Sequence, residues 1–171
     1  GDFNDALVIY IDSAAGGFTS TSTFDDNADG LRTALSGFNG TDRTTVNFSP
    51  GFDADYGMAI DTNFGGLWSL AGTGSHPFQT GLGTSFANTD PSFTFSFNLG
   101  DLGLAPGDSF DFVGTYISTT AFRSDEAIGD GVTPGNPGNS NPISFSVSRT
   151  FTTSAVPEPS SFALMLVGAG A

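Results

Sequence analysis

The sequence predicts an all-β chain: an antiparallel β-sandwich of the jelly-roll kind with one short helix and a C-terminal tail. Three observations lead there. Strong helix formers are scarce, with no Lys anywhere and very little Glu or Gln. Apolar mass is concentrated in 18 Phe residues rather than in Leu, Ile and Val, and aromatic side chains suit a pleated, half-buried surface. Short alternating runs are separated by clusters of Gly, Pro, Asn and Asp, the residues of turns. A partly closed barrel is the alternative arrangement.

Taken in order, Ala6-Leu-Val-Ile-Tyr-Ile11 is apolar on both faces and belongs at the centre of a sheet or under a covering loop. Asp29-Gly-Leu-Arg-Thr-Ala-Leu35 reads as the helix, stopped by Gly37 and capped by Asp26, Asn27 or Asp29. Tyr56, Met58 and Ile60 line one side of a strand, and Trp68 and Leu70 sit two apart after Gly65-Gly66. Phe93-Thr-Phe-Ser-Phe-Asn-Leu99 alternates without error, the period of a half-buried strand. Phe110, Phe112 and Tyr116 share one side of Asp108–Ser118. Gly129–Pro142 (GDGVTPGNPGNSNP) has almost nothing to bury and reads as an exposed, mobile loop within the domain. Ile143-Ser-Phe-Ser-Val147 alternates again, with Phe151 expected to rejoin the same face after Arg149. One sandwich domain is therefore expected over residues 1–153, and a tail over 154–171.

The formal net charge is −14, with Arg32, Arg43, Arg123 and Arg149 as the only fixed side-chain cations. Nucleic-acid binding requires clustered cations that displace counterions from phosphate. Adsorption to an anionic membrane surface needs them too. Both classes are excluded as expectations. The acidity suits solubility through repulsion, or divalent-cation binding through hard oxygen ligands. Without Cys there is no disulfide, thiolate metal site or Cys nucleophile. The chain opens at Gly1 with no charged-then-apolar leader, which reads as a mature or trimmed form.

Several clusters are candidate sites. Asp25-Asp-Asn27-Ala-Asp29-Gly30 contains D-x-N-x-D-G, the first half of a Ca2+ loop. Its bidentate Glu position is occupied by Ser36, leaving Asp12, Asp42 or another distant carboxylate to complete the shell. The competing reading is a solvated turn that caps the helix. Asp53, Asp55 and Asp61 flank or terminate the Tyr56–Ile60 strand, with Asp53 and Asp55 on one face if the strand starts early, and a carboxylate pair at the right separation hydrolyses glycosides. Arg123, Asp125 and Glu126 read as a local ion pair on a solvated loop. His76 is the only histidine, and it reads as a loop residue. Trp68, Tyr10, Tyr56 and Tyr116 offer either an aromatic platform for sugars or core packing, with Trp68 assigned to the core.

The tail changes character. A polar spacer leads to Val156-Pro157-Glu158-Pro159-Ser160-Ser161 and then to Phe162-Ala-Leu-Met-Leu-Val-Gly-Ala-Gly-Ala171. This resembles the PEP-CTERM sorting signal of Gram-negative bacteria, with Pro157, Glu158 and Pro159 as the sorting motif. The apolar run is shorter than the roughly 20 residues that span a bilayer, and no Arg cluster follows it. The tail thus reads as a truncated or degenerate form of the signal. The resemblance implies an exosortase-type enzyme as a partner and delivery to the cell surface or extracellular polysaccharide matrix. The body resembles, more loosely, an uncharacterised secreted β-sandwich domain in Leu7–Ser13 with Gly16-Gly17-Phe18, in Leu102–Asp108 and in Ser124–Gly129. The expectation is a non-catalytic exported protein that binds polysaccharide. The alternatives are a self-assembling structural subunit and a secreted glycoside hydrolase using Asp carboxylates.

Overall fold

A computed structural model describes residues 5–84, 87, 89–90, 92–132 and 135–154. The fold is all-β, built on a seven-stranded antiparallel sheet with one short helix. The strands are β1 (Ala6–Asp12), β2 (Val46–Asn47), β3 (Tyr56–Ile60), β4 (Gly65–Ser69), β5 (Phe78–Gly81), β6 (Ser109–Ile117), β7 (Arg123–Ile128), β8 (Ile143–Ser144) and β9 (Arg149–Thr152). The large sheet runs β5-β4-β3-β1-β6-β7, and β9 also pairs with β6. Strand β7 takes the Gly114–Ile117 half of β6 and β9 takes the Ser109–Phe112 half.

Strand β1 lies at the centre, between β3 and β6, as its two apolar faces require. Val8 and Tyr10 point into one core, and Ile9 and Ile11 into the other. The first core is roofed by α1 (Gly30–Ser36) and by β2 and β8, which form a small parallel sheet through Val46 and Ile143. The layering is that of a sandwich with one large and one very small sheet. The second core is covered by Phe95–Leu104, extended chain followed by a single 3-10 turn over Leu99–Leu102.

The helix forms as the sequence expects. Asp29 is its N-cap, with its side chain accepting from Arg32 N at 2.9 Å. Gly37 closes it in the left-handed region at φ 61°, where a side chain would be strained. Tyr56, Met58 and Ile60 share a face, and Trp68 is a core residue at 5% exposure.

Four expectations need correction. Phe93–Leu99 is not a ladder strand; Ser96 exchanges a backbone pair with Gly83, at 3.0 Å in each direction. Its alternation reports that Phe95 and Phe97 face the second core, and one buried face needs no continuous hydrogen-bonded partner. Phe145 and Phe151 do not share a face. Phe145 packs in the first core, whereas Phe151 sits on β9 opposite Phe110, on the second. Arg123 is not on a solvated loop; it opens β7 and is fully buried, and the Asp125 carboxylate accepts from Gly135 N. Gly129–Pro142 is partly tied down. Gly138 exchanges backbone bonds with Arg123, Asp130 bridges to Val147, and Pro137 is buried.

Candidate functional site

The Asp25–Gly30 loop comes together around the helix start. Asp25 Oδ1 accepts from Gly74 N. Asp26, nearly inaccessible, accepts from Ala28 N and His76 N and lies 3.6 Å from Arg32. Asp29 holds the cap and pairs with Arg32 Nε at 2.8 Å. The Asn27 side-chain amide lies against Gly40. The carboxylates at 25 and 29 are thus turned toward backbone N–H groups and Arg32 rather than toward a shared centre. Among the described residues no group of three His, Cys, Asp or Glu side chains converges as a metal site. Asp12 and Asp42 do not close the loop either. Asp12 accepts from Asp53 N and Asp42 pairs with Asn39.

His76 is a loop residue, but a buried one. Its Nδ1 accepts from Ala71 N at 3.1 Å, so the neutral ring carries its proton on Nε2. Nε2–H then donates to Ser36 Oγ at 3.1 Å, and Ser36 donates onward to Asp26 O at 2.8 Å. This polarity runs opposite to a nucleophile-and-base pair, in which the imidazole must accept the serine proton. Burial holds the imidazole below its ordinary value against the pull of Asp26 and Asp25.

The carboxylates proposed from sequence for hydrolysis separate into two groups. Asp61 makes a turn between β3 and β4, its Oδ1 accepting from Asn63 N and Phe64 N at 2.7 and 2.8 Å. Asp55 lies at the other end of β3, about 20 Å away along an extended strand. A glycosidase pair stands roughly 5–9.5 Å apart. Asp55 Oδ2 accepts from Ser13 N and Ala14 N at 2.9 and 2.8 Å, fixing the chain after β1. Beside it, Asp12 and Asp111 are directly opposite in register. Burial pushes the Asp12 carboxyl up, the bond from Asp53 N opposes this, and the charges of Asp55, Asp111 and Asp53 add to the rise. An open depression of about 400 Å³ lies along Asp12–Ala15 and Ser109–Asp111.

Two apolar features stand out from this polar surface. The first is an aromatic edge. Phe64 and Phe78 are 45% and 54% exposed, with ring centroids 6.3 Å apart and planes 31° from parallel. Phe78 also meets Trp68 edge-on at 5.6 Å. The Asp61 turn presents Phe64, and Gly66 has no side chain because a Cβ there would run into the Trp68 ring. Tyr10 is core and Tyr56 and Tyr116 are half-buried, so the exposed rings are phenylalanines that the alternation pattern does not single out. The available signal is Phe64-Gly-Gly-Leu-Trp68, a glycine pair clearing space between two aromatics.

The second feature is a groove of about 200 Å³ on the second core. Ile9, Ile11 and Met58 contribute from the sheet centre, Phe110 and Phe112 from β6, Phe151 from β9, and Phe95 and Phe97 from the covering segment.

The four arginines do not form a patch. Arg32 serves Asp29 and Asp26, and Arg149 pairs with Asp130 at 2.9 Å. Arg43 donates to Phe24 O and lies 4.4 Å over the Phe38 ring. Arg123 donates to Thr115 Oγ1, while its Nε and Nη2 have no hydrogen-bond partner among the described residues. Burial pushes its guanidinium down, opposed by the neighbouring Tyr10. The Pro157-Glu158-Pro159 motif lies outside the described residues. In comparisons with known proteins, no family model, no curated protein and no solved structure matches the chain.

Proposed function

We propose that this chain is a non-catalytic exported protein of the cell surface or extracellular matrix, which holds polysaccharide on the exposed rings of Phe64 and Phe78. The observation that carries the reading is that pair of half-exposed rings, tilted 31° to each other, at a sheet edge. Sugar rings present apolar C–H faces that stack on aromatic surfaces. The net charge of −14 repels polyanions and favours a neutral glycan. The sorting motif Pro157-Glu158-Pro159, followed by an apolar run, supports export through an exosortase-type partner.

The tautomer of His76 speaks against Ser36 as a nucleophile served by that ring, and the distance along β3 speaks against Asp61 and Asp55 as a glycosidase pair. A second reading, self-assembly, has one observation in its favour. Strand β5 ends the sheet, its residues are exposed or half-exposed, and the chain contains no Lys, a common guard of sheet edges.

Affinity electrophoresis through gels containing neutral and acidic polysaccharides tests the proposal. Neutral polysaccharide should retard the protein, and Phe64→Ala with Phe78→Ala should abolish the retardation while leaving the unfolding midpoint near that of the parent. Equal mobility in all gels would remove the polysaccharide reading.

A further inference from the structure

At the end of the large sheet away from β5, the Ser109–Phe112 half of β6 is bordered by β9, and β9 pairs with no further strand among the described residues. The register fixes which of its backbone groups face outward. Thr153 N donates to Asp108 O at 2.9 Å. Bonded and non-bonded pairs alternate along an antiparallel ladder. Phe151 and Arg149 therefore turn their N–H and C=O groups toward Phe110 and Phe112, while Thr150 and Thr152 turn theirs away from β6. Side chains come closest at non-bonded pairs, and there Thr150 Oγ1 donates to the Asp111 carboxylate at 2.6 Å and the Ser109 and Thr152 hydroxyls meet at 2.9 Å. Sheet edges are commonly blunted by Lys, Pro or a bulge. Strand β9 has none of these, its Arg149 is engaged by Asp130, and all four of its residues are exposed.

The two sides of β9 differ in chemistry. On the second-core side stands Phe151, 52% exposed, its ring 5.5 Å from that of Phe110 and continuous with the apolar groove. On the opposite side Asp111 lies across from Thr150, and Asp12 lies across from Asp111 on the next strand. Neither carboxylate is in an ion pair among the described residues, and the open depression beside them leaves room for long cationic side chains. A strand laid along β9 would send alternate side chains to these two sides. One set would stack on Phe151; the other would cross the Thr150 and Thr152 hydroxyls toward Asp111. The net charge of −14 repels a second copy from this edge and attracts a cationic segment.

We propose that the outer edge of β9 receives an extended segment of a partner protein in which apolar residues alternate with Lys or Arg. Main-chain bonds to Thr150 and Thr152 hold the segment, and the apolar and acidic sides of the strand select it. Polysaccharide on the β4–β5 edge, at the other end of the sheet, leaves this strand untouched.

The test uses the full chain and the peptide Lys-Val-Lys-Val-Lys-Val-Lys-Val, with Glu-Val-Glu-Val-Glu-Val-Glu-Val and the block peptide Lys-Lys-Lys-Lys-Val-Val-Val-Val as controls. Fluorescence anisotropy of labelled peptide reads affinity, and NMR amide exchange reads position. The alternating Lys peptide should bind most tightly and should slow exchange at Thr150 and Thr152 while leaving β5 unchanged. Asp111→Asn should weaken binding about two- to fivefold, the range of an exposed ion pair. Thr152→Pro removes an outward N–H and spares the ladder to β6, so it should weaken binding about tenfold or more with the unfolding midpoint near that of the parent. Equal binding of either control peptide, or protection at β5 in place of Thr150 and Thr152, would overturn the proposal. Protection of those two amides that grows with protein concentration in the absence of peptide would overturn it as well, by giving the edge to a second copy.

Discussion

On the α1 side of the large sheet, Val8 and Tyr10 lie under a helix, a small sheet and the Phe24 and Phe52 rings, all nearly inaccessible. On the other side, Ile9 and Ile11 start from the same strand but meet extended chain with one 3-10 turn, and half-covered Phe rings line an open groove. The strand pattern is equally apolar on both faces. The difference lies in what covers them: a helix and a small sheet seal one face, whereas the other meets the alternate side chains of Phe95 and Phe97 and one 3-10 turn that buries Leu102. A function that needs apolar surface is thus available on the second face without weakening the first.

Truncating one ring on each face separates them. Phe24→Ala should cost about 3–5 kcal/mol, the range for a sealed aromatic. Phe97→Ala, half-covered, should cost under about 2 kcal/mol because less surface returns to water. Urea unfolding gives both values. Equal losses would mean that the groove side is as tightly packed as the other.

Arg123 gives the sealed face a weakness. A buried guanidinium with two nitrogens unpartnered among the described residues carries a desolvation cost that the bond to Thr115 and the neighbouring Tyr10 offset only in part. Arg123→Met should therefore leave stability unchanged or raise it by up to about 4 kcal/mol, the range seen when buried charges give way to packed apolar groups. A lower urea midpoint would show that the cation is required there.

Asp29→Ala should cost about 0.5–2 kcal/mol through loss of the helix cap, by the same amount with Ca2+ present and after chelation. A Ca2+-dependent difference would return the loop to metal binding.

The smallest effects concern acid, and two groups should respond with opposite sign. The folded His76 is held below its unfolded value near 6.5. The unfolded chain therefore binds the extra proton first, and stability falls as pH drops from about 6.5 toward the folded value. Asp12 is raised in the fold, so between the unfolded value near 3.9 and the folded one the native state holds more protons. Stability there rises as pH drops. His76→Gln should flatten the first trend and Asp12→Asn the second, read as urea midpoints across pH.

Particular residues show how much of this was legible. Asp29 and Gly37 bound the helix in sequence because caps act within one turn, through a side chain and a φ angle that neighbours do not decide. The two-faced apolar run of β1 placed it centrally for an equally local reason. Trp68 was assigned to the core correctly, yet the exposed rings beside it were missed. In a chain with 18 Phe residues, alternation does not separate a ring at a sheet edge from one beneath a helix. The alternation of Phe93–Leu99 revealed which side chains point inward but not whether a neighbouring strand exists to accept the ladder.

The sequence by itself determined the β class, the position of β1 and the limits of α1. Each comes from short-range sterics, periodicity or side-chain-to-backbone bonding. It also left no clustered cations for phosphate, since four arginines and no lysine are a matter of composition. Only the tertiary structure decided that Arg123 is buried, that Asp12 faces Asp111, that His76 carries its proton on Nε2, and that Phe151 joins Phe110 rather than Phe145. Those outcomes depend on strand order and on contacts between residues far apart in the chain, where burial and pairing are properties of the partner as much as of the residue.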